Sequence, residues 1–502
     1  MENESSNKKT LTLGALVLMI FTTIFGFGNT PTAFEQMGYG AIFWYLLGAL
    51  LFFLPSGLMF AEYGASLKGS KGGIYSWLDA SIGEQWSFIA TFIWLSAWII
   101  WQVMISQKVW ITLSTILTGK DTTPSWHLFG LNSTLTIGLL AILWIIGITW
   151  AASRGMESIA RVSSVGGIAV MALNVILVLA SLIILIANHF QLAQPINHLS
   201  DFATSPNPQF QTPIAMISFV IYAIFAYGGL ESIGGVTDSL DQPEKTFPKG
   251  ILIGTLVIGI GYSLTIFLWG ISTNWSMVIA HGNVNLGNIT YVLMGNLGDV
   301  LGIALGLSVS SAHVLGEVFS RFAGVSMFLA YLGSFFVLIY SPLKSFILGS
   351  PKALWPKKMT RLNRHGMPEF AMWMQAVAVI VFITGISIAS VLTHQDAKFF
   401  YNVLTSMSNV STTLPYLFLV GAFPYFKRED LPRPFVAYHS HRWMLFVVTL
   451  VMITLSVGIG FTILQPFLVK DWVTAIATVA GPIIFGGIAW IFYANRENNL
   501  DD

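Results

Sequence analysis

The sequence predicts an all-α membrane protein with twelve transmembrane helices, and three observations support that prediction. Of the 502 residues, 55% are hydrophobic and only 9% are charged, whereas a soluble domain carries about 25% charged residues. Twelve runs of at least 22 residues contain no ionisable side chain, and about 20 apolar residues are enough to cross a bilayer as a helix. These runs lack the alternating pattern of a membrane β-barrel, so we expect each to be a helix.

The predicted spans follow one another along the whole chain. The first is too long for the apolar region of a signal peptide and lacks a small-residue cleavage site, so we expect it to be retained. The segment 281–312 is apolar but interrupted by polar residues, which predicts an outer loop with short helices and not a thirteenth span. In chain order, the predicted spans are 10–34, 36–61, 85–107, 128–153, 162–188, 202–230, 250–280, 322–343, 370–393, 399–426, 443–469 and 472–495.

The composition and the missing motifs exclude several classes of protein. The net charge is +1, which provides no basic face for a nucleic acid, and cysteine is absent. The zinc motif His-Glu-x-x-His, the Gly-x-Ser-x-Gly elbow and a phosphate-binding Gly-Lys-Ser/Thr loop are missing too. We therefore expect no enzyme, no catalytic residue, no cofactor and no metal. A channel would need a polar, repeated pore lining, which the spans do not show.

The basic residues predict the orientation of the chain, because the cytoplasmic loops of membrane proteins are enriched in Lys and Arg. With a cytoplasmic N-terminus, 19 of the 24 basic residues fall in cytoplasmic segments, and the outer loops hold only Lys120, Lys398 and Lys470. We therefore expect a multi-pass protein of the cytoplasmic membrane, in contact with the lipid bilayer, with both termini in the cytoplasm.

The first span contains residues that interrupt a helix. Gly26 and Gly28 flank Phe27 and loosen the helix there. Thr30 and Pro31 follow, and we expect Thr30 to be the N-cap and Pro31 the first residue of a second half-helix. The pattern therefore predicts a helix that stops and restarts within one membrane crossing.

The sixth span contains a similar interruption. Gly228 and Gly229 precede Glu231, which we expect in the first turn of a second half-helix, where the helix dipole favours a carboxylate. A single glycine motif is more often a packing feature of membrane helices. Two breaks in matched positions, one followed by Thr-Pro and one by an acid, favour a binding site.

The two breaks lie five spans apart, and an odd number of spans inverts the orientation of the chain. This spacing predicts two inverted five-helix repeats followed by two further helices, the plan of secondary transporters whose broken helices form a site at the midplane. The predicted divisions are a cytoplasmic tail 1–10, a first repeat 11–190, a second repeat 205–426, two C-terminal helices 440–495 and a tail 496–502.

A few ionisable residues fall within or at the ends of the spans, where a charge costs about 3 kcal/mol or more. Glu231 is either a capping acid or a gating, protonatable carboxylate. Glu35 and Glu62 are either interface anchors or functional groups. We expect Lys108 to snorkel or to pair with a neighbour on the second or tenth span. Glu317 and its neighbour four residues on, Arg321, are expected to pair on one helix face.

Aromatic side chains near the breaks have two interpretations. Phe225 and Tyr227 lie just before the break in the sixth span, where they either cover a bound substrate or pack against neighbouring helices. Trp94, Trp98 and Trp101 form a stripe on the third span, for which core packing is the default interpretation.

The chain resembles the amino acid–polyamine–organocation superfamily, whose members have a LeuT-like fold. Within this superfamily it resembles the glutamate:GABA antiporter family of the inner membrane. The resemblance extends from about residue 11 to residue 493. The residues that carry it lie in the segments 20–29, 72–77, 225–231, 241–245, 340–344 and 351–356.

The resemblance implies where a substrate binds. The backbone around the first break would hold an amino acid carboxylate, and carbonyls around the sixth-span break would hold the ammonium. Phe225 would be the gating aromatic residue, Glu231 would link binding to closure, and 72–77 would be an inner re-entrant segment. The implied substrate-binding residues are Thr22, Thr23, Gly26, Phe27, Gly28, Phe225, Tyr227, Gly228 and Gly229.

The sequence also departs from the superfamily pattern. Phe27 stands where the superfamily has a Ser or Thr, and the run 162–188 contains no basic residue to replace a sodium ion. The predicted function is transport of an amino acid or related zwitterion, by antiport or proton-coupled permeation. The alternative is a polyamine or amine exchanger of the same fold. The few charges near the site favour a neutral or zwitterionic substrate, and a homodimer is compatible with the sequence.

Overall fold

A computed structural model describes residues 12–67, 73–154, 156–233, 242–280, 284–394 and 397–496. The predicted tail 1–10, residues 497–502 of the predicted C-terminal tail, and Gly72 at the start of the expected re-entrant segment lie outside these ranges. The rest of that segment leads into a short helix between the second and third predicted spans.

The described residues are largely helical. Short helical turns in the connections include Trp275–Ile279 and Lys357–Thr360. The main helices, in chain order, are α1 (Leu13–Ile24), α2 (Asn29–Met37), α3 (Gly40–Ser66), α4 (Ile74–Ile82), α5 (Glu84–Thr118), α6 (Ser133–Ala152), α7 (Met156–Ala187), α8 (Pro213–Ala226), α9 (Leu230–Ile233), α10 (Pro243–Ser272), α11 (Ile289–Ala304), α12 (Val309–Gly349), α13 (Glu369–Leu392), α14 (Ala397–Phe426), α15 (His441–Leu468) and α16 (Trp472–Ala494).

Within these described ranges, ten helices are long and apolar enough to cross a membrane. They confirm an all-α membrane protein, whereas the count of twelve spans stays a prediction. The bent pair α1 and α2 is an eleventh candidate, and α8 is apolar but has only 14 residues. The 16-residue α11, in the expected loop 281–312, is shorter than the about 20 residues that cross a bilayer.

The first predicted span is broken, with an angle of 54° between α1 and α2. The prediction for its restart was wrong by two residues. Gly28 is the N-cap of α2, Thr30 lies inside this helix, and Pro31 is its third residue. The reason is that the N–H groups of Asn29 and Thr30 already bond to the carbonyls of Gly26 and Phe27, so helical geometry begins earlier.

The sixth predicted span also breaks where the glycines stand. Thr212 caps the start of α8 through its side chain, and α8 ends at Ala226. Gly229 has a φ of +106°, a conformation that favours glycine. Glu231 then lies in the first turn of α9, as predicted.

The α5 helix lies at the centre of the bundle and is the most deeply buried of the ten candidate spans within the described chain. It packs against α12, α14 and α16, while α12 also packs against α7 and α11. The contact between α11 and α12 is close, because a Cβ on Gly298 would lie 2.7 Å from the Cα of Gly316. Small residues allow membrane helices to approach in this way.

Candidate functional site

A cavity of about 1120 Å³ opens where the two broken helices meet, and the faces of α5, α7, α12 and α14 complete its wall. Most of the residues that the sequence assigned to substrate binding or gating line it. They are Thr22, Thr23, Gly26, Phe27, Gly28, Phe225, Gly228, Gly229 and Glu231.

Tyr227 does not line this cavity, and its surroundings match the packing interpretation. Its side chain is fully buried, and its hydroxyl donates to the carbonyl of Tyr45 at 2.9 Å. Its ring stacks on Phe53 with a centroid distance of 4.9 Å. Residues two apart in helical geometry point about 200° apart around the helix axis, and Tyr227 keeps helical geometry as the C-cap of α8. Phe225 therefore faces the cavity while Tyr227 packs behind it.

The hydroxyl of Tyr262, on α10, joins the two breaks. It accepts from the N–H of Gly26 at 3.0 Å and from the side-chain amide of Asn29 at 3.2 Å. It also lies within donor distance of the carbonyls of Ile24 (2.8 Å) and Ala226 (3.0 Å). One hydroxyl proton can bond to one of these carbonyls at a time, so the other carbonyl does not receive this donor.

The first break also leaves backbone donors free. The N–H groups of Phe27 and Gly28 have no acceptor among the described residues, and both residues line the cavity. Free N–H groups at the start of a helix are suited to an anionic group. This part of the cavity can therefore bind a carboxylate through the backbone alone, without the hydroxyl that Phe27 lacks.

The predicted threonines and the gating aromatic residue surround the same region. The hydroxyl of Thr22 donates back to the carbonyls of its own helix, at Leu18 and Met19. Thr23 lies against Gly229, because a Cβ on Gly229 would be 3.6 Å from Cγ2 of Thr23. The two breaks are therefore in contact. Phe225 stacks on Tyr222 with a centroid distance of 6.0 Å.

Glu231 is 3% exposed and receives three hydrogen bonds from three parts of the chain. The indole N–H of Trp94, on α5, donates to Oε1 at 3.1 Å. The hydroxyl of Tyr416, on α14, donates to Oε2 at 2.7 Å, and the N–H of Gly229 donates to the same oxygen at 3.1 Å. Glu231 has no basic partner within the described part of the chain.

The tryptophan stripe of α5 borders the cavity, and Trp94 and Trp101 also pack against the hydrophobic core, as the default interpretation expects. Trp94, Trp98 and Trp101 all line the cavity, and the indole N–H of Trp98 has no partner in the described structure. Lys108 lines it as well. The pairing expected for Lys108 is wrong, because none of the described carboxylates forms an ion pair with it.

Glu62 belongs to an ion cluster away from the cavity lining. Its carboxylate is fully buried, and Oε1 lies 2.6 Å from Nζ of Lys427 and 3.0 Å from a guanidinium nitrogen of Arg433. The N–H of Ala437 donates to Oε2 at 2.8 Å. The cluster ties the end of α3 to the connection between α14 and α15, which is a structural role.

The other charged residues near span ends also have local roles. Glu35 is buried on α2, not exposed as an interface anchor would be, and its carbonyl accepts from the indole N–H of Trp275 at 2.8 Å. Arg321 and Glu317 pair at 3.8 Å as predicted. Arg321 also donates to the carbonyls of Ile116 and Leu117 near the end of α5. Among the described residues no group of three or more His, Asp or Glu could hold a metal.

The comparison with known proteins agrees with this architecture. The amino acid permease family matches residues 11–493. The inner membrane transporter YjeM of Escherichia coli (strain K12) is 51% identical over 489 residues, which cover 97% of this chain and 96% of that protein.

More distant relatives carry more specific names. The aspartate/glutamate permease AcaP of Lactococcus lactis subsp. cremoris is 21% identical over 419 residues, 81% of this chain and 78% of that protein. A glutamate/gamma-aminobutyrate antiporter of Lactococcus lactis subsp. lactis is 26% identical over 452 residues, 86% and 78% of the two chains. The family match and the long apolar helices lead to one conclusion: the chain belongs to the amino acid permease family and is a membrane transporter, not an enzyme.

Proposed function

We propose that this protein is a secondary active transporter that moves an amino acid or related zwitterion across the cytoplasmic (inner) membrane by alternating access. It works as an antiporter or as a proton-coupled permease. The observation that carries the proposal is that both helix breaks open on one cavity and share one hydroxyl, that of Tyr262. Broken helices of this kind present N–H groups to an anion and carbonyls to a cation.

The backbone groups of the two breaks match a zwitterion. The free N–H groups of Phe27 and Gly28 would hold the carboxylate, and the carbonyl of Ala226 would accept from the ammonium when Tyr262 donates to Ile24. Phe225 would cover the substrate. A polyamine exchanger has less support, because the described lining holds one carboxylate, Glu231, and three donors already bond to it.

Glu231 is the proposed link between binding and closure. Its three donors come from α5, from the glycine break itself and from α14. A movement of α9 must therefore either break the hydrogen bonds to α5 and α14 or move these two helices with it. A carboxylate that gains or loses a proton would change these contacts, which gives a route for proton coupling.

The topology completes the proposal. With the bent pair α1 and α2 as the first span and α8 with α9 as the sixth, the ten long helices bring the total to twelve. The repeats would cover residues 11–190 and 205–426, and residues 440–495 would add two helices. Both termini would lie in the cytoplasm.

Transport by purified protein in liposomes tests the function. Uptake of a labelled amino acid should be saturable, should be stimulated by the same amino acid preloaded inside, and should leave the substrate chemically unchanged. Stimulation by an inward proton gradient without preloading would identify a proton-coupled permease. A panel of the standard amino acids, γ-aminobutyrate and putrescine that shows neither uptake nor exchange would contradict the proposal.

Glu231→Gln tests the coupling residue, because an amide presents a donor where the carboxylate presents only acceptors. We expect a lower transport rate and a changed pH dependence. Glu317→Gln is the matched control, since Glu317 is 44% exposed and its pair with Arg321 is long. If both variants keep the rate and pH profile of the unmodified protein, Glu231 has no coupling role.

A further inference from the structure

Lys108 ends the stripe of α5 side chains that faces the cavity. Trp94, Trp98, Trp101, Ile105 and Lys108 follow at intervals of four, three, four and three residues, and all five line the cavity. This spacing keeps residues on one face of a helix. The lysine is therefore directed at the transport cavity by the same periodicity as the tryptophans, and not at lipid.

Two described residues of the cavity lining carry a formal charge, Glu231 and Lys108, and their surroundings differ. The protein supplies three donors to Glu231. The ammonium of Lys108 has no hydrogen-bond acceptor and no ion-pair partner among the described residues, and its backbone carbonyl accepts from the hydroxyl of Thr112. An ammonium in the membrane interior without a counter-charge is costly, so an anion that enters the cavity gains a favourable partner there.

The two charges of the cavity do not neutralise each other. Lys108 lies 14 residues beyond Trp94, which contacts Glu231, and this separation corresponds to about 21 Å along the helix axis. Glu231 and Lys108 therefore border separate regions of the cavity.

A series of contacts leads from the first break to the helical turn next to Lys108. A Cβ on Gly28 would lie 3.8 Å from the hydroxyl of Thr290. The next residue, Tyr291, contacts the hydroxyl of Thr112 at 2.6 Å, and Thr112 is one helical turn from Lys108. Phe27, Gly28 and Lys108 all line one cavity, so a molecule whose carboxylate binds at Phe27 and Gly28 occupies the cavity into which Lys108 is directed.

We infer that Lys108 determines substrate specificity by binding a second anionic group, at the end of the substrate side chain. The protein then prefers amino acids with an acidic side chain over their neutral amides. This inference rests on the proposed transport function and names the residue that selects the substrate. It replaces the expectation of a neutral or zwitterionic substrate. That expectation rested on the small number of charges near the site, whereas Lys108 has no ion-pair partner among the described residues.

Counterflow in proteoliposomes tests the inference with two substrate pairs, glutamate against glutamine and aspartate against asparagine. The unmodified protein should have a lower KM for the acidic member of each pair. Lys108→Met, which keeps the length of the side chain, should raise the KM for the acidic member roughly 10- to 100-fold, as expected for a lost hydrogen bond to a charged group. The KM for the amide should stay within about twofold, and Lys108→Arg should retain most of the preference.

Three results separate the alternatives. If the neutral amides are transported and Lys108→Met leaves the acid-to-amide ratio unchanged, the inference is wrong while the transport function stands. If no amino acid is transported, the proposed function fails, and a thermal-shift titration with glutamate and glutamine still tests the lysine, since a ligand stabilises the native state. Glutamate stabilisation that is equal in the unmodified protein and in Lys108→Met, or absent from both, overturns the inference. If Lys108→Met does not fold, Lys108→Gln, which also removes the charge, replaces it in the same measurements.

Discussion

The hydroxyl of Tyr416 donates a 2.7 Å hydrogen bond to Oε2 of Glu231, and the same hydroxyl accepts from the N–H of Gly229 at 3.1 Å. This single side chain therefore connects α14 both to the glycine break and to the acid that follows it. The connection means that the position of α9 is fixed by a helix 185 residues away in the chain. A transporter that moves α9 must accommodate that bond in each of its conformations.

Tyr416→Phe removes the bond without changing the size of the ring. We expect a loss of about 1.5–3 kcal/mol in the stability of this conformation, the range for a hydrogen bond to a charged group, and a change in transport rate. Thermal unfolding in detergent and counterflow measure the two effects. Tyr45→Phe is the matched control, because Tyr45 is buried and its hydroxyl has no partner within the described structure. Equal behaviour of the two variants would contradict a role for Tyr416.

Tyr262→Phe should affect both breaks at once. It removes the acceptor of the Gly26 N–H and the donor to the carbonyls of Ile24 and Ala226. A fully buried donor without an acceptor costs about 1–3 kcal/mol, which is the upper limit for the part-buried Gly26 N–H, so the melting temperature should fall and uptake should decrease. Tyr45→Phe again serves as control, since the rings of Tyr45 and Tyr262 are in contact with a centroid distance of 4.9 Å. Normal stability of Tyr262→Phe would show that the hydroxyl does not hold the breaks together.

The helix breaks could be predicted from the sequence because their causes are local. Glycines in the first and sixth spans loosen the helix regardless of how the chain later packs, and Glu231 lies two residues after Gly229. The start of α2 was misplaced because Thr30 is a good capping residue in isolation, whereas here the N–H groups bond to carbonyls of the break itself.

The contacts around the breaks could not be predicted, because they join distant parts of the chain. Tyr262 reaches Gly26 across 236 residues, and nothing near either residue indicates the contact. The stripe of Trp94, Trp98 and Trp101 illustrates a second limit. Helical periodicity shows that these side chains share a face, but not whether that face meets another helix or a cavity. Lys108 continues the helical spacing of these tryptophans. Once one of them is known to line the cavity, this spacing predicts that the lysine lines it as well.

Glu62→Gln should destabilise the fold, although Glu62 does not line the cavity. The carboxylate is fully buried between Lys427 and Arg433, and removing one partner of a buried ion pair costs about 3–5 kcal/mol. We expect a large fall in melting temperature, measured in detergent, and Glu317→Gln should melt like the unmodified protein. The double variant Glu62→Gln/Lys427→Gln should cost less than the sum of the single changes, because contacting residues are not additive. Additive effects would show that the two side chains do not interact.

Gly28→Ala should weaken substrate binding and leave the fold intact. Gly28 has a φ of −64°, which alanine adopts freely, and the new Cβ would lie 3.5 Å from Met327 and 3.8 Å from Thr290, at ordinary contact distance. The methyl group would stand beside the N–H groups that we propose as the carboxylate site. We expect the KM for the transported amino acid to rise roughly tenfold, equivalent to about 1.4 kcal/mol of binding energy, with an unchanged melting temperature.

Gly14→Ala is the control for Gly28→Ala, because a Cβ at Gly14 on α1 meets no atom within 4 Å. This variant should keep the KM of the unmodified protein. Counterflow at a series of substrate concentrations separates an effect on KM from one on the maximal rate. If Gly28→Ala folds normally and keeps its KM, the free N–H groups of the first break do not hold the substrate carboxylate, and the carboxylate must bind elsewhere in the cavity.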